Sequence, residues 1–437
     1  MKPQLLIGAP ASGSGKTTFT MGLLRALSRR GKKVQPYKCG PDYIDTKFHA
    51  HASGRESVNL DSWFSSKTHI RDLYARYGAD ADACIVEGAM GLFDGYDRSR
   101  GSAAGIAEIL DIPIVLVVGA KSTAYSVAAL LHGTKSFNPA IKIAGVVFNQ
   151  VASERHKLLL SQAAEDAGVR CFGFMPREDG LEVPSRHLGL TLAAEQQMEA
   201  WIERAAQIVE HNVDIDALLA ACSGEFKSPR HEPSGLQHNM AAKGAMRIAV
   251  ARDSAFNFIY RENIARLEQL GSVTFFSPLS GDELPQTDLL YLPGGYPELF
   301  AGQLAERSKL KGQIKAYADA GGRILAECGG MIYLTGAINA IPGGPYSMCG
   351  VLPLETTMEG ARLHLGYRSV RLQNGKEFRG HEFHYSSVIN PAAMPSVAQQ
   401  YDAHGEQVAT PLYRYRNTIA GYTHLYWGET DIMDLWK

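Results

Sequence analysis

The stretch GAPASGSGKTT, from Gly8 to Thr18, follows the apolar run LLI and precedes the helically periodic FTMGLLRALSRRG. Strand, small-residue loop and helix in that order constrain the fold more than any other feature of the chain. In such a loop, successive backbone N–H groups converge at a helix N-terminus, where the dipole favours phosphate. Gly13 and Gly15 permit the tight backbone, with Ser14 and Thr18 as neighbours in an ATP site. Lys16 reaches the β/γ oxygens, and Thr17 offers a hydroxyl to magnesium. Pro10 stands where the usual spacing has its first glycine, so the loop reads as a relaxed variant.

The segments QLLIGA, KKVQPYK, ACIVEG, IPIVLVVGA, IAGVVFNQ and RCFGFMP are apolar and mostly rich in Val and Ile, with helical stretches between most of them. Continuous apolar strands alternating with helices imply a parallel sheet covered on both faces. Ligands of such sheets gather beyond the carboxyl ends of the strands. There YKCGPDYIDTKFH supplies Lys38, Asp42 and Asp45, and VEGAMGLFDG supplies Glu87 and Asp94. Carboxylates at strand ends beside a phosphate loop can hold magnesium and position a reacting group.

A chain of 437 residues exceeds one compact core. The polar SGEFKSPRHEPSGLQHNMAAKG reads as a linker, and MRIAVARD opens a second alternating set with SVTFFSPL, DLLYLPGG and GRILAECGG. The expected organisation is an ATP-binding domain over 1–190, a helical segment and linker over 191–245, and a second α/β domain over 246–437. A net charge of −1 argues against a nucleic-acid surface or a membrane-seeking face. Six scattered cysteines without metal spacing, and no signal-peptide pattern at the start, point to reduced thiols in cytoplasm.

In GRILAECGGMIYL an apolar strand ends in Cys328, followed by two glycines and a helical start. This is a nucleophile elbow, and a thiol at a helix N-terminus is expected to favour thiolate and to face solvent. Gly294 and Gly295, ending the strand in YLPGGYPE, are candidate oxyanion-hole donors, and His424 in AGYTHLYWGE is a candidate base. His49, His51, His381 and His384 read as structural or substrate-contacting, since nothing beside them completes a metal ligand set.

These residues stand among GPDYID, NLDSW, EGAMGLFDG, PSRHLGL, ARDSAFNF, FFSPL, PGGYPE, AECGGMIYL and GHEFHYS, in the order found in the cobyrinate a,c-diamide synthases of the cobalamin pathway. Over nearly its whole length the chain resembles that family. The resemblance implies a dethiobiotin-synthetase-like ATP domain fused to a class I glutamine-amidotransferase-like domain. It also implies Mg2+, ATP and glutamine as co-substrates and a corrinoid acid as the amidated molecule, handled by a monomer or homodimer. By the same resemblance Thr17, Asp45 and Glu87 would hold magnesium, Asp42 and Asp94 would lie near the reacting carboxylate, and Lys38 would belong to the ATP site. Asn149 would read adenine, Cys328 would be the nucleophile and His424 its base.

Two positions depart from the common pattern, and so does the stretch VVGAKSTAYSVAAL, where many relatives have DARG, which bears on corrin contacts. Ala326 stands where the elbow usually has glycine, so less backbone strain is expected at Cys328. Tyr426 stands where a glutamate often follows the catalytic histidine by two residues, which leaves the third triad member unassigned. Rivals within the same chemistry are hydrogenobyrinate or nickel-sirohydrochlorin as substrate, or a cobyric acid synthase. A partition-type ATPase switch is the rival from another class.

Overall fold

The computed structural model describes residues 1–178, 181, 192–227, 245–389 and 391–437, so PSRHLGL and most of the linker stretch lie outside the described residues. The chain divides into two compact units, Met1–Ser234 and Gly235–Lys437.

The first unit runs β1 (Lys2–Gly8), α1 (Lys16–Arg29), β2 (Val34–Cys39), α2 (Ile44–Ser53), β3 (Val58–Leu60), α3 (Lys67–Gly78) and β4 (Ala83–Glu87). It continues α4 (Ala103–Leu110), β5 (Ile114–Gly119), α5 (Val127–Phe137), β6 (Ile143–Val151), α6 (Glu154–Asp166) and β7 (Cys171–Pro176). After these come α7 (Leu192–Asn212), α8 (Ile215–Ala221) and the short β8 (Ser223–Gly224). The sheet order is β3-β2-β4-β1-β5-β6-β7, all parallel, with β8 joining β1 antiparallel.

Period-two alternation divides each strand between two cores. Leu6, Tyr37 and Val86 pack with Ile70 and Leu73 of α3 and with Ile106 of α4. Leu5, Ile7 and Ile85 pack with Phe19, Leu23 and Leu27 of α1 and with Trp201, Ile202 and Val209 of α7. Helix α7 therefore belongs to the first unit, covering α1 from outside. Arg25 pairs with Glu199 and Glu203, and Arg29 with Glu210, along that seam. The residues called a helical segment before the linker are core, because α1 presents apolar side chains on a face the sheet does not cover.

The second unit begins β9 (Met246–Ala251), α9 (Arg261–Leu270), β10 (Gly271–Phe276), β11 (Leu289–Leu292), α10 (Ala301–Ala305), α11 (Ser308–Asp319), β12 (Arg323–Glu327) and α12 (Gly329–Leu334). Then follow β13 (Ala337–Asn339), β14 (Tyr346–Ser347), β15 (Glu355–Thr357), β16 (His364–Leu372), β17 (Glu377–His384) and β18 (Ser387–Ile389). The last strands are β19 (Ala398–Tyr401), β20 (Gln407–Val408), β21 (Leu412–Tyr415), β22 (Thr418–Gly421) and β23 (His424–Tyr426). The main sheet is β10-β9-β11-β12-β22-β21, parallel except for β21. A second sheet, β20-β19-β16-β17-β23, is antiparallel throughout and carries GHEFHYS and His424 on its last two strands.

Candidate active sites

The phosphate loop leaves β1 and enters α1 at Gly15. This residue has φ 96°, and an added Cβ would stand 2.0 Å from Asn149 Nδ2. Only glycine meets both demands, the left-handed backbone and the close approach. Asn149, at the end of β6, donates from Nδ2 to the Ser14 carbonyl at 3.0 Å, so it braces the loop from a neighbouring strand end. Ser14 Oγ turns back to Ala11 O at 2.8 Å. No side chain caps the first turn of α1, which leaves its N–H groups to a bound anion. Thr18 is buried, its hydroxyl 3.4 Å from the Leu181 carbonyl.

Strands β2, β4 and β1 are adjacent, with Lys38 and Ile7 both in register with Glu87. That register gathers a buried polar chain beside the loop. Thr17 Oγ1 donates to Glu87 Oε1 at 2.7 Å, and Lys38 Nζ lies 3.0 Å from the same oxygen and 2.5 Å from Asp45 Oδ2. His49 Nε2 meets Glu87 Oε2 at 2.8 Å, and its Nδ1 meets Ser57 Oγ at 2.9 Å.

Burial alone would raise the pKa of Glu87, but Lys38 and His49 outweigh it and hold the carboxylate ionised. Burial opposes the charge of Lys38 as well, and Asp45 and Glu87 keep it protonated. Asp45 is pushed up to about 7 by burial, against the pull of Lys38. Lys16, whose Nζ donates to Met90 O at 2.5 Å, is lowered by burial and by Lys38.

Asp42 Oδ1 accepts from the Ile44 and Asp45 N–H groups, both at 2.8 Å, and so starts α2. Asp94 Oδ2 accepts from Gly91 N at 2.9 Å and shapes its own loop. His49, read from the sequence as structural or substrate-contacting, orients Glu87 from one face of α2, four residues after Asp45. Sequence reasoning missed Asn59, which holds Gly40 O and Asp42 O at 2.9 Å each.

In the second unit Cys328 joins β12 to α12 at φ 45°, ψ −104°, a conformation that costs a non-glycine residue about 1–3 kcal/mol. Ala326 therefore does not relax the elbow: the strain sits at the cysteine itself, held by its N–H donating to Gly421 O at 2.7 Å. The thiol is only 2% exposed, and burial, with Glu298 nearby, raises its pKa well above the ordinary range. Solvent-facing thiolate was the expectation. The thiol is instead enclosed, because both faces of the six-residue α12 are packed.

The amides that bond the sulfur are those of Gly329 and Gly295, so Gly329 joins the oxyanion candidates. Gly294 has a further part. Its carbonyl accepts from Asn257 N and Phe258 N, both at 3.0 Å, and a Cβ there would stand 2.0 Å from His424 Cε1. The residue is small so that the imidazole can lie against it.

His424 begins β23, opposite His381 on β17, with the two rings stacked at 5.0 Å. Burial, then His384, lowers its pKa to about 3, so the ring is neutral at rest. Tyr426 packs edge-on against Tyr260. The carboxylate that acts on His424 is Glu382 of β17, itself ion-paired with Arg368. Glu327, next to the thiol, accepts from Leu425 N at 2.9 Å and Tyr291 OH at 2.7 Å and so ties β12 to β23.

A neutral imidazole, a thiol on a strained elbow and two converging amides can open an amide through a thioester. A phosphate loop beside buried carboxylates can activate an acid. Residues 5–190 match the family described as the CobQ/CobB/MinD/ParA nucleotide binding domain, and residues 247–432 match the CobB/CobQ-like glutamine amidotransferase domain. The pair defines a glutamine-using, amide-forming ligase.

The chain is 40% identical over 435 residues to a hydrogenobyrinate a,c-diamide synthase of Brucella anthropi, covering 96% of this chain and 97% of the relative. It is 43% identical to that of Rhodobacter capsulatus (93% and 94% covered) and 37% identical to a cobyrinate a,c-diamide synthase of Picrophilus torridus (97% and 95%). The chain belongs to the a,c-diamide synthase family.

Proposed function

We propose that the chain converts the a and c carboxylates of cobyrinate to amides, using one ATP and one glutamine for each. The observation that carries the reading is the co-occurrence in one chain of the Cys328 elbow and the Lys16–Thr17 loop with its Glu87–Lys38–Asp45 chain.

In the second unit His424 takes the thiol proton as Sγ attacks the glutamine carboxamide, and the Gly295 and Gly329 N–H groups receive the oxyanion. The imidazolium returns the proton to the departing ammonia, leaving a thioester that water hydrolyses to glutamate. In the first unit the loop amides and Lys16 hold the triphosphate, and the substrate carboxylate attacks the terminal phosphorus to give an acyl phosphate and ADP. Ammonia then displaces phosphate. Asp42 and Asp94 border the carboxylate's position, Lys38 bridges the Asp45 and Glu87 carboxylates, and Asn149 faces the base from the end of β6.

The donor set suits magnesium. Thr17, Asp45 and Glu87 offer hard oxygens, and Mg2+ needs only one or two carboxylates because phosphate and water complete its shell. When bound it would neutralise charge on the phosphates.

A second reading keeps every step and replaces cobyrinate with metal-free hydrogenobyrinate. The names of the Brucella and Rhodobacter relatives favour it. The test is incubation with Mg2+, ATP, glutamine and each tetrapyrrole acid separately, followed by mass spectrometry. Two successive amidations of cobyrinate support the first reading. Turnover of hydrogenobyrinate alone supports the second, and no amidation of either overturns both.

A further inference from the structure

Two hydrogen-bond acceptors beside the Gly294–Gly295 turn have no donor among the described residues. Glu298 Oε2 is shut away from solvent without a partner, four residues after Gly294. Asn257 Oδ1 is in the same condition, on the residue whose N–H donates to Gly294 O. The amide orientation of Asn257 is fixed, since Nδ2 donates to Ser254 O at 2.7 Å.

An enclosed acceptor without a donor is costly, and an enclosed carboxylate more so. Two of them flanking one turn require a donor that arrives from outside. Glu298 is also the charged group that acts most strongly on the Cys328 thiol, and it acts on Tyr422 as well. Its carboxyl is pushed up to about 7 by burial, with no basic side chain to counter it.

Resting on the glutaminase reading above, we propose that Glu298 receives the α-ammonium group of the glutamine substrate. Glutamine presents its carboxamide to Cys328 and carries one cationic donor group a few bonds away, which is the group the two acceptors lack. Glu298 is then a specificity residue: it separates glutamine from the many cellular amides that have no ammonium. It also couples binding to chemistry, because the arriving cation cancels the charge that disfavours thiolate at Cys328.

The probe is glutaramate, which is glutamine without its α-amino group, used beside glutamine on the full-length protein and on Glu298→Gln. The unaltered protein should prefer glutamine by about 100-fold or more in kcat/KM, as expected for a charge-assisted contact. Glu298→Gln should raise the glutamine KM by a similar factor, leave kcat within about threefold, and make glutaramate hydrolysis no slower. Iodoacetamide, which has no ammonium, should alkylate Cys328 no more slowly in the variant. The glutamine-like inhibitor 6-diazo-5-oxonorleucine should label it more slowly.

An unmoved glutamine KM, or equal losses for glutamine and glutaramate, overturns this proposal while leaving the glutaminase reading intact. No glutamine hydrolysis by the unaltered protein, with Cys328 unlabelled by the diazoketone, overturns both.

Discussion

Cys328 Sγ–H donates to the carbonyl oxygen of Phe383 at 3.6 Å, and the Phe383 backbone also acts on His424, pulling its pKa up against burial. One stretch of β17 backbone thus acts on both the thiol and the imidazole proposed to activate it. With the thiol pKa raised and the imidazole neutral, no thiolate–imidazolium pair stands ready, and the pair must form as substrate enters. Water alone therefore meets an unactivated thiol.

Cys328→Ala should abolish glutamine-dependent amidation, by roughly 10³-fold or more, because no other group can carry the thioester. Amidation with added ammonium salt should persist at near its original rate. Product formation measured with each nitrogen source checks this, and loss of both activities would show that the two chemistries are not separable.

Gly294→Ala places a Cβ at 2.0 Å from His424 Cε1, so the ring must turn or retreat. Displacement of a catalytic base by about 1 Å costs on the order of 10²-fold in rate. Glutaminase activity should fall by about that factor while ATP turnover with ammonia is unchanged. Retained glutaminase would mean that the imidazole does not work from this position.

His49→Ala removes one of the hydrogen bonds that orient Glu87. Losing the partner of a metal-binding carboxylate typically weakens binding about 10–100-fold. Calorimetric titration of Mg2+ in the presence of ATP should show that loss, with His49→Gln milder because its amide can still donate.

The Glu327 carboxyl holds its proton up to about 8 in the folded protein, against a reference of 4.5. Between those values the folded state binds more protons than the unfolded one, so stability falls as pH rises through that window. Glu327→Gln stays neutral throughout. It should gain on the order of a few kcal/mol relative to the parent between about pH 5 and about pH 9. Urea unfolding at both pH values measures the difference; parallel losses in the two proteins would count against an enclosed, protonated Glu327.

What the sequence made legible followed from local order. The phosphate loop, the acids after β2 and β4, and the Cys328 elbow each lie where an apolar strand stops, and strand endings can be read from a few consecutive residues. What stayed hidden depends on register between distant strands. His49 meets Glu87 across 38 positions and Phe383 meets Cys328 across 55, and no local spacing encodes either. The antiparallel sheet holding β17 and β23 was the least legible part. Its strands carry His, Glu, Gly and Arg in place of continuous Val and Ile, so the apolar signal fades where site residues accumulate. The amide of Gly329 was hidden for another reason: donors on the main chain carry no residue type.

The cover that α7 lays over α1 bears on how the chain can be dissected. Met198, Trp201, Ile202 and Val209 shield the helix that carries Lys16 and Thr17, and all four lie beyond residue 190, where the match to the nucleotide-binding family stops. Just after them β8 pairs with Lys2 and Pro3, and the Phe226 ring lies under Lys2 Nζ at 3.8 Å. A gene cut at the family boundary would encode a phosphate loop whose supporting helix has one greasy flank in water. The natural place for the scissors is past Phe226.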